Sequence, residues 1–251
     1  MEIQMKTLIA ANWKMHGDLS WADKPAEFRG IYPKDKSGVE CLICPPSFLL
    51  PALVKQGEEN EILVGAQNCH AETSGAFTGE ISAPMIAGLG ATHVIVGHSE
   101  RRSLFGETDD DVSAKAEAAL NANIIPIICI GESEAERRAE KELDVATMQL
   151  ANSIPDCAKG ANFVVAYEPV WAIGTGLTPT LADIRVMHNH IRGLLTDRFG
   201  QKHGANIQIL YGGSVKPGNA EEILAIDNVN GALIGGASLD MESFAAIAMA
   251  A

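Results

Sequence analysis

No apolar run in this chain of 251 residues approaches the ~18 residues that a membrane-spanning helix requires. The longest, near Ile124 to Ile130, is far shorter and contains Pro126. The first residues, Met1-Glu2-Ile3-Gln4-Met5-Lys6, lack the basic start, long apolar stretch and small-residue cleavage site of a secretion signal, so a cytoplasmic protein is expected. Basic residues are few: 19 Lys and Arg stand against 32 Asp and Glu, a net charge of −13. That balance argues against nucleic acid and anionic membranes as partners, and any attraction for an anionic substrate has to be local. Cysteine is too sparse and too odd in number, at five, for a disulfide framework. Cys41 and Cys44 resemble a metal pair in spacing alone. They lie three apart in an apolar run, so on a strand they point to opposite faces, and no second pair completes a metal site. No metal or cofactor is expected. Linkers, low-complexity tracts and shifts in composition are also missing, which makes residues 1–251 one domain by expectation.

What is present is 47% hydrophobic residue content and an alternation of short apolar runs with helical patterns. The predicted strands are Leu8 to Ala11, Glu40 to Cys44, Ile62 to Ala66, His93 to Val96, Ile124 to Ile130, Phe163 to Tyr167, Ile207 to Tyr211 and Gly231 to Ile234. Most are too apolar to face water, as in a parallel sheet covered on both sides. Eight such units in about 250 residues suit an α/β closed (β/α)8 barrel, with eight parallel strands inside a ring of helices, better than a doubly wound sheet. Thr108-x-x-Asp111 and Thr180-x-x-Asp183 read as capping boxes, and the run Asp109-Asp110-Asp111 suits the positive end of a helix dipole. Ile184, Met187, Ile191 and Leu195 are helically spaced, which makes His188 and His190 helix residues rather than ligands.

In such a barrel, chemistry collects where strands end. Asn12-Trp13-Lys14-Met15 follows the first strand, and a lysine there either snorkels to water or faces an anion. Gly97-His98-Ser99-Glu100 follows the fourth and puts an imidazole at a helix start, in a structural or a chemical role. Glu168 ends the sixth, before Pro169-Val170-Trp171-Ala172-Ile173-Gly174-Thr175-Gly176. That stretch reads either as a strand-ending acid with a flexible turn or as a base under an apolar lid. Gly212-Gly213-Ser214 and Gly235-Gly236 follow the seventh and eighth; each pair alone is compatible with a tight turn, but the two together favour a phosphate site.

These segments resemble the triosephosphate isomerase family in order and content. The match includes Gly65-Ala66-Gln67-Asn68, Gly75-Ala76-Phe77-Thr78-Gly79-Glu80, Ala166-Tyr167-Glu168-Pro169 and Tyr211-Gly212-Gly213-Ser214-Val215, and it runs over effectively the whole chain. The resemblance implies interconversion of dihydroxyacetone phosphate and D-glyceraldehyde 3-phosphate through an enediol, in glycolysis and gluconeogenesis. By the same resemblance Glu168 is the proton-shuttling base, His98 the electrophile and Lys14 the charge that holds the substrate. Asn12 orients a substrate oxygen; Gly174, Ser214, Gly235 and Gly236 bind phosphate through N–H groups; Ser99 and Glu100 are supports. The family's pairing of a carboxylate base with a neutral histidine under a closing loop comes with it, with Trp171 and Ile173 expected to desolvate Glu168 on closure.

His16 and Leu177-Thr178-Pro179 depart from the family's common asparagine and Lys-Thr-Ala, which bears on loop motion. Two other readings are a Schiff-base aldolase using Lys14, and a barrel that binds without catalysis, against which the intact Asn12, Lys14, His98 and Glu168 speak. The stretch from Gln67 to Glu80 lacks periodicity and is long for a connection. Phe77 and Thr78 at its tip suit a neighbour's pocket better than water, so a homodimer through the loop around Thr78 is expected, with Thr78 supporting Asn12, Lys14 or His98 of the other chain.

Overall fold

Eight parallel strands close into a barrel in which each pairs with the next and the last returns to the first. They are β1 Thr7–Asn12, β2 Val39–Cys44, β3 Leu63–Ala66, β4 His93–Val96, β5 Ile125–Ile130, β6 Val164–Tyr167, β7 Gln208–Tyr211 and β8 Gly231–Ile234. The computed structural model describes residues 5–33, 38–172 and 179–251. Closure leaves no exposed edge, and it fixes the register: Ile9 lies opposite Cys41 on one side and Ala232 on the other.

The period of two along each strand builds two separate cores. Leu8, Ala10, Leu42, Cys44, Ile95, Ile127, Cys129, Val164, Ala166, Leu210 and Leu233 fill the barrel interior. Their neighbours, among them Ile9, Ile43, Val94, Val96, Ile128, Val165 and Ile209, face outward into the layer under the helices. Cys41 belongs to the outer core and Cys44 to the inner one, as alternation requires of residues three apart. Burial pushes the Cys44 and Cys129 thiols well up, away from the reactive thiolate.

Every predicted strand forms, with shifts of a residue at several ends. Ile62, Ile124, Phe163 and Ile207 are buried but lie just outside the ladder, in the outer core. Two of them show why: the Ile62 N–H donates to Gly57 O at 2.9 Å and the Ile124 N–H to Ala119 O at 2.9 Å, so these amides serve preceding helices. Apolarity marks burial, and only hydrogen bonding marks the strand.

The helices begin where their caps predict. Thr108 caps Asp109–Asn121 and Thr180 caps Leu181–Gly204, each through a reciprocal capping box. His188 and His190 both lie on the second of these, which breaks at Gly200. Among the described residues no helix is long and apolar enough to cross a membrane.

Candidate active site

The C-terminal ends of the strands surround a cavity of about 270 Å³ lined by Asn12, Lys14, His98, Glu168, Ser214, Gly235 and Gly236, with Gly212, Gly213, Lys216 and Leu233. All the predicted site residues converge there except Gly174, which lies outside the described residues together with Ile173.

Glu168 is carried out of β6 by one further ladder bond, its N–H donating to Ile130 O at 2.7 Å. Its backbone is clamped so closely that a Cβ on Gly131 would stand 1.7 Å from Glu168 O, and one on Gly212 would stand 2.8 Å from Glu168 Cγ. Glycine at the ends of β5 and β7 is what lets the acid sit between them. The carboxylate is 2% exposed. It accepts from the Ser99 N–H at 3.0 Å and the Ser99 hydroxyl at 3.3 Å, and His98 Nε2 lies 3.0 Å from Oε1. Burial pushes this carboxyl up, but the His98 partner and the Ser99 donors pull harder, and the group ends below its ordinary value. Glu168 is thus already removed from water, while the loop from Ile173 onward, on which the expected closure depends, lies outside the described residues. What holds its basicity down is the charge and hydrogen bonding of His98 and the Ser99 N–H.

His98 caps the helix Ser99–Phe105, its Nδ1 accepting the Glu100 N–H at 3.2 Å. Burial pushes the imidazole down and the Glu168 carboxylate pushes it up more strongly, for a net upward shift. That shift belongs to the pairing with Glu168. With Nδ1 committed as acceptor, the neutral tautomer carries its proton on Nε2, the nitrogen that faces the cavity. Burial and the positive end of the helix, taken without Glu168, both favour that neutral form.

Lys14 adopts φ 51, a left-handed backbone unusual for a side-chain-bearing residue. Three bonds hold it there: its N–H donates to Asn12 Oδ1 at 3.0 Å, Gln67 Nε2 donates to its carbonyl at 2.9 Å, and its Nζ pairs with Glu100 at 2.6 Å. The Glu100 pairing matches the sequence expectation. An ammonium engaged this way lacks the lone pair that Schiff-base chemistry needs, which disfavours the aldolase reading. The N–H groups of Gly213, Ser214, Gly235 and Gly236 have no backbone acceptor among the described residues, and they are the donors a phosphate requires.

Sequence reasoning missed three contributors. Gln67, quoted within a matching segment, also bonds Cys44 O at 2.9 Å and so ties Lys14 to β2. Glu132, 1% exposed, accepts from the Trp171 indole at 2.6 Å and the Tyr167 hydroxyl at 3.1 Å, anchoring the start of the loop after Glu168. Burial raises its carboxyl above the ordinary value despite those bonds. The third is Lys216, whose only sequence signal is its place two residues beyond Ser214.

Comparison with known proteins follows the same lines. The family model described as triosephosphate isomerase matches residues 7–251. The triosephosphate isomerase of Rhizobium meliloti (strain 1021) is 49% identical over 248 residues, covering 98% of this chain and 96% of its own. That of Afipia carboxidovorans is 53% identical over 248 residues, with 98% of each chain covered. A crystal structure of triosephosphate isomerase from Bartonella henselae superposes with a TM-score of 0.90 at 44% identity, covering 98% of this chain and 99% of that one.

Proposed function

The chain belongs to the triosephosphate isomerase family and interconverts dihydroxyacetone phosphate and D-glyceraldehyde 3-phosphate through an enediol, and from that premise we propose a division of labour among its site residues. Glu168 takes the proton from the carbon next to the carbonyl, and the His98 Nε2–H donates to the oxygen that becomes negative. The hydroxyl proton of the enediol passes from one oxygen to the other, with His98 donating to one and accepting from the next, while the same carboxyl returns its proton to the neighbouring carbon; the base is regenerated and no redox partner is needed. Lys14 neutralises developing charge, Asn12 fixes the backbone of Lys14 and faces the substrate, and the turns at Ser214, Gly235 and Gly236 hold the phosphate, joined by Gly174. The observation that carries this reading is the 3.0 Å approach of His98 Nε2 to Glu168 Oε1 in a cavity whose far wall consists of glycine turns. Residues 1–251 act as one catalytic unit in this reading, and a cytoplasmic location accords with a glycolytic reaction.

The test is Glu168→Gln, assayed with glyceraldehyde 3-phosphate in a coupled system. Turnover is expected to fall by about 10³-fold or more while binding of a phosphate-bearing inhibitor survives. Near-normal turnover would remove Glu168 from its role.

The working assembly in this proposal is a homodimer. Met15, Phe48, Phe77 and Phe105 are all exposed apolar side chains, and they follow β1, β2, β3 and β4 in turn, so they belong to one half of the barrel. Phe77 packs against His70 with ring centroids 4.0 Å apart and the rings tilted by 35°, which presents it as an ordered knob. Thr78 beside it is exposed. Such a patch suits a two-fold contact that delivers Thr78 to the neighbouring site. Replacing Phe77 and Thr78 by aspartate is expected to give folded monomers of greatly reduced turnover, read by sedimentation and assay; fully active monomers would refute the dimer.

A further inference from the structure

The phosphate end of the cavity poses an electrostatic problem. Its ionisable lining among the described residues is Lys14, His98, Glu168 and Lys216. Lys14 faces the substrate but shares its charge with Glu100 at 2.6 Å, His98 in its working tautomer is neutral, and Glu168 is negative. Without a further cation, a phosphate dianion would approach a site of net negative charge on a protein that carries −13.

We propose that Lys216 is that cation, a substrate-affinity residue that draws in and holds the phosphate group. Its ammonium has no carboxylate partner among the described residues, unlike that of Lys14. Its backbone is tied down: the Lys216 N–H donates to Asn219 Oδ1 at 2.7 Å, Asn219 Nδ2 donates to Ser214 O at 3.1 Å, and the Asn219 and Ala220 N–H groups both reach Lys216 O at 3.1 Å. The stem of the side chain is thus anchored on the turn that presents the Ser214 N–H, and the exposed remainder is free to reach the cavity mouth. A flexible ammonium serves a phosphate as a point charge and needs no fixed geometry. The inference rests on the reading of the glycine turns as the phosphate site.

The experiment compares Lys216→Gln, Lys216→Glu and Lys216→Arg with the unaltered protein at low ionic strength, measuring KM, kcat and the inhibition constant of inorganic phosphate. Lys216→Gln should raise both KM and that constant about fivefold with kcat changed less than twofold. Lys216→Glu should raise them further, and Lys216→Arg should leave them nearly unchanged. In 1 M potassium chloride, where the screening length is about 3 Å, the difference should shrink below twofold. A purely structural role would not give this salt dependence. Equal inhibition of all variants by phosphate would overturn the role of Lys216 alone. Failure of phosphate to compete with substrate in the unaltered protein would instead overturn the reading of the glycine turns on which it stands.

Discussion

Two buried histidines, one at the barrel mouth and one beneath the helices, are driven in opposite directions by their surroundings. His98 faces a carboxylate at 3.0 Å and is shifted upward. His188 packs against the rings of Tyr167 and Tyr211, with centroids 6.1 and 6.3 Å away, and burial, with a smaller push from the Arg192 charge, takes it down to about 4. Its Nδ1 lies 3.0 Å from Asn228 O, and its Nε2 has no hydrogen-bond partner among the described residues. His93, at the start of β4, is likewise pushed down to about 4 by burial. Removal from water by itself makes an imidazole neutral and inert. A charged partner in reach converts the same burial into a titratable, orientable proton donor.

The comparison breaks most sharply at His98. His98→Gln keeps a donor near the carbonyl oxygen but loses the imidazole, and kcat is expected to fall by about 10² to 10³-fold with substrate affinity nearly kept, measured by steady-state assay. A change within a few-fold would place His98 with the structural histidines. The smaller effect concerns His188. Its folded value lies below the ordinary 6.5, so the unfolded chain binds the extra proton and stability must fall as pH drops from about 6.5 toward about 4. Fully expressed, that is about 3 kcal/mol for each such histidine. His188→Phe keeps a ring packed against the two tyrosines without a titrating group. Denaturant melts of that variant between pH 6.5 and 5 should lose stability with a shallower slope, the remainder coming from His93, while kcat at neutral pH stays within a few-fold. An unchanged slope would mean that His188 is not held neutral.

Much of this was legible in the residues. The strands were readable because a buried parallel strand must be apolar on both faces, and the caps at Thr108 and Thr180 because their chemistry is local. Asn12, Lys14, His98 and Glu168 stood out as candidates by their place after apolar runs, and their roles came from the family resemblance. Glu132 was not, since nothing in Gly131-Glu132-Ser133 announces that its carboxylate reaches the Trp171 indole, a residue 39 positions away. Nor was the state of Glu168, because its basicity depends on donors from β4's loop and not on its neighbours in sequence.

The strands, the glycine turns and the candidate side chains at the strand ends were determined by the sequence itself, since periodicity, turn chemistry and residue type act over a few positions. Only the closed barrel decided which charges are spent and which remain available. It sets Glu100 against Lys14, Ser99 and His98 against Glu168, and leaves Lys216 at the mouth without a carboxylate partner among the described residues. Charge interactions vary with distance and burial through space, and spatial proximity between residues 86 positions apart exists only after the chain has closed on itself.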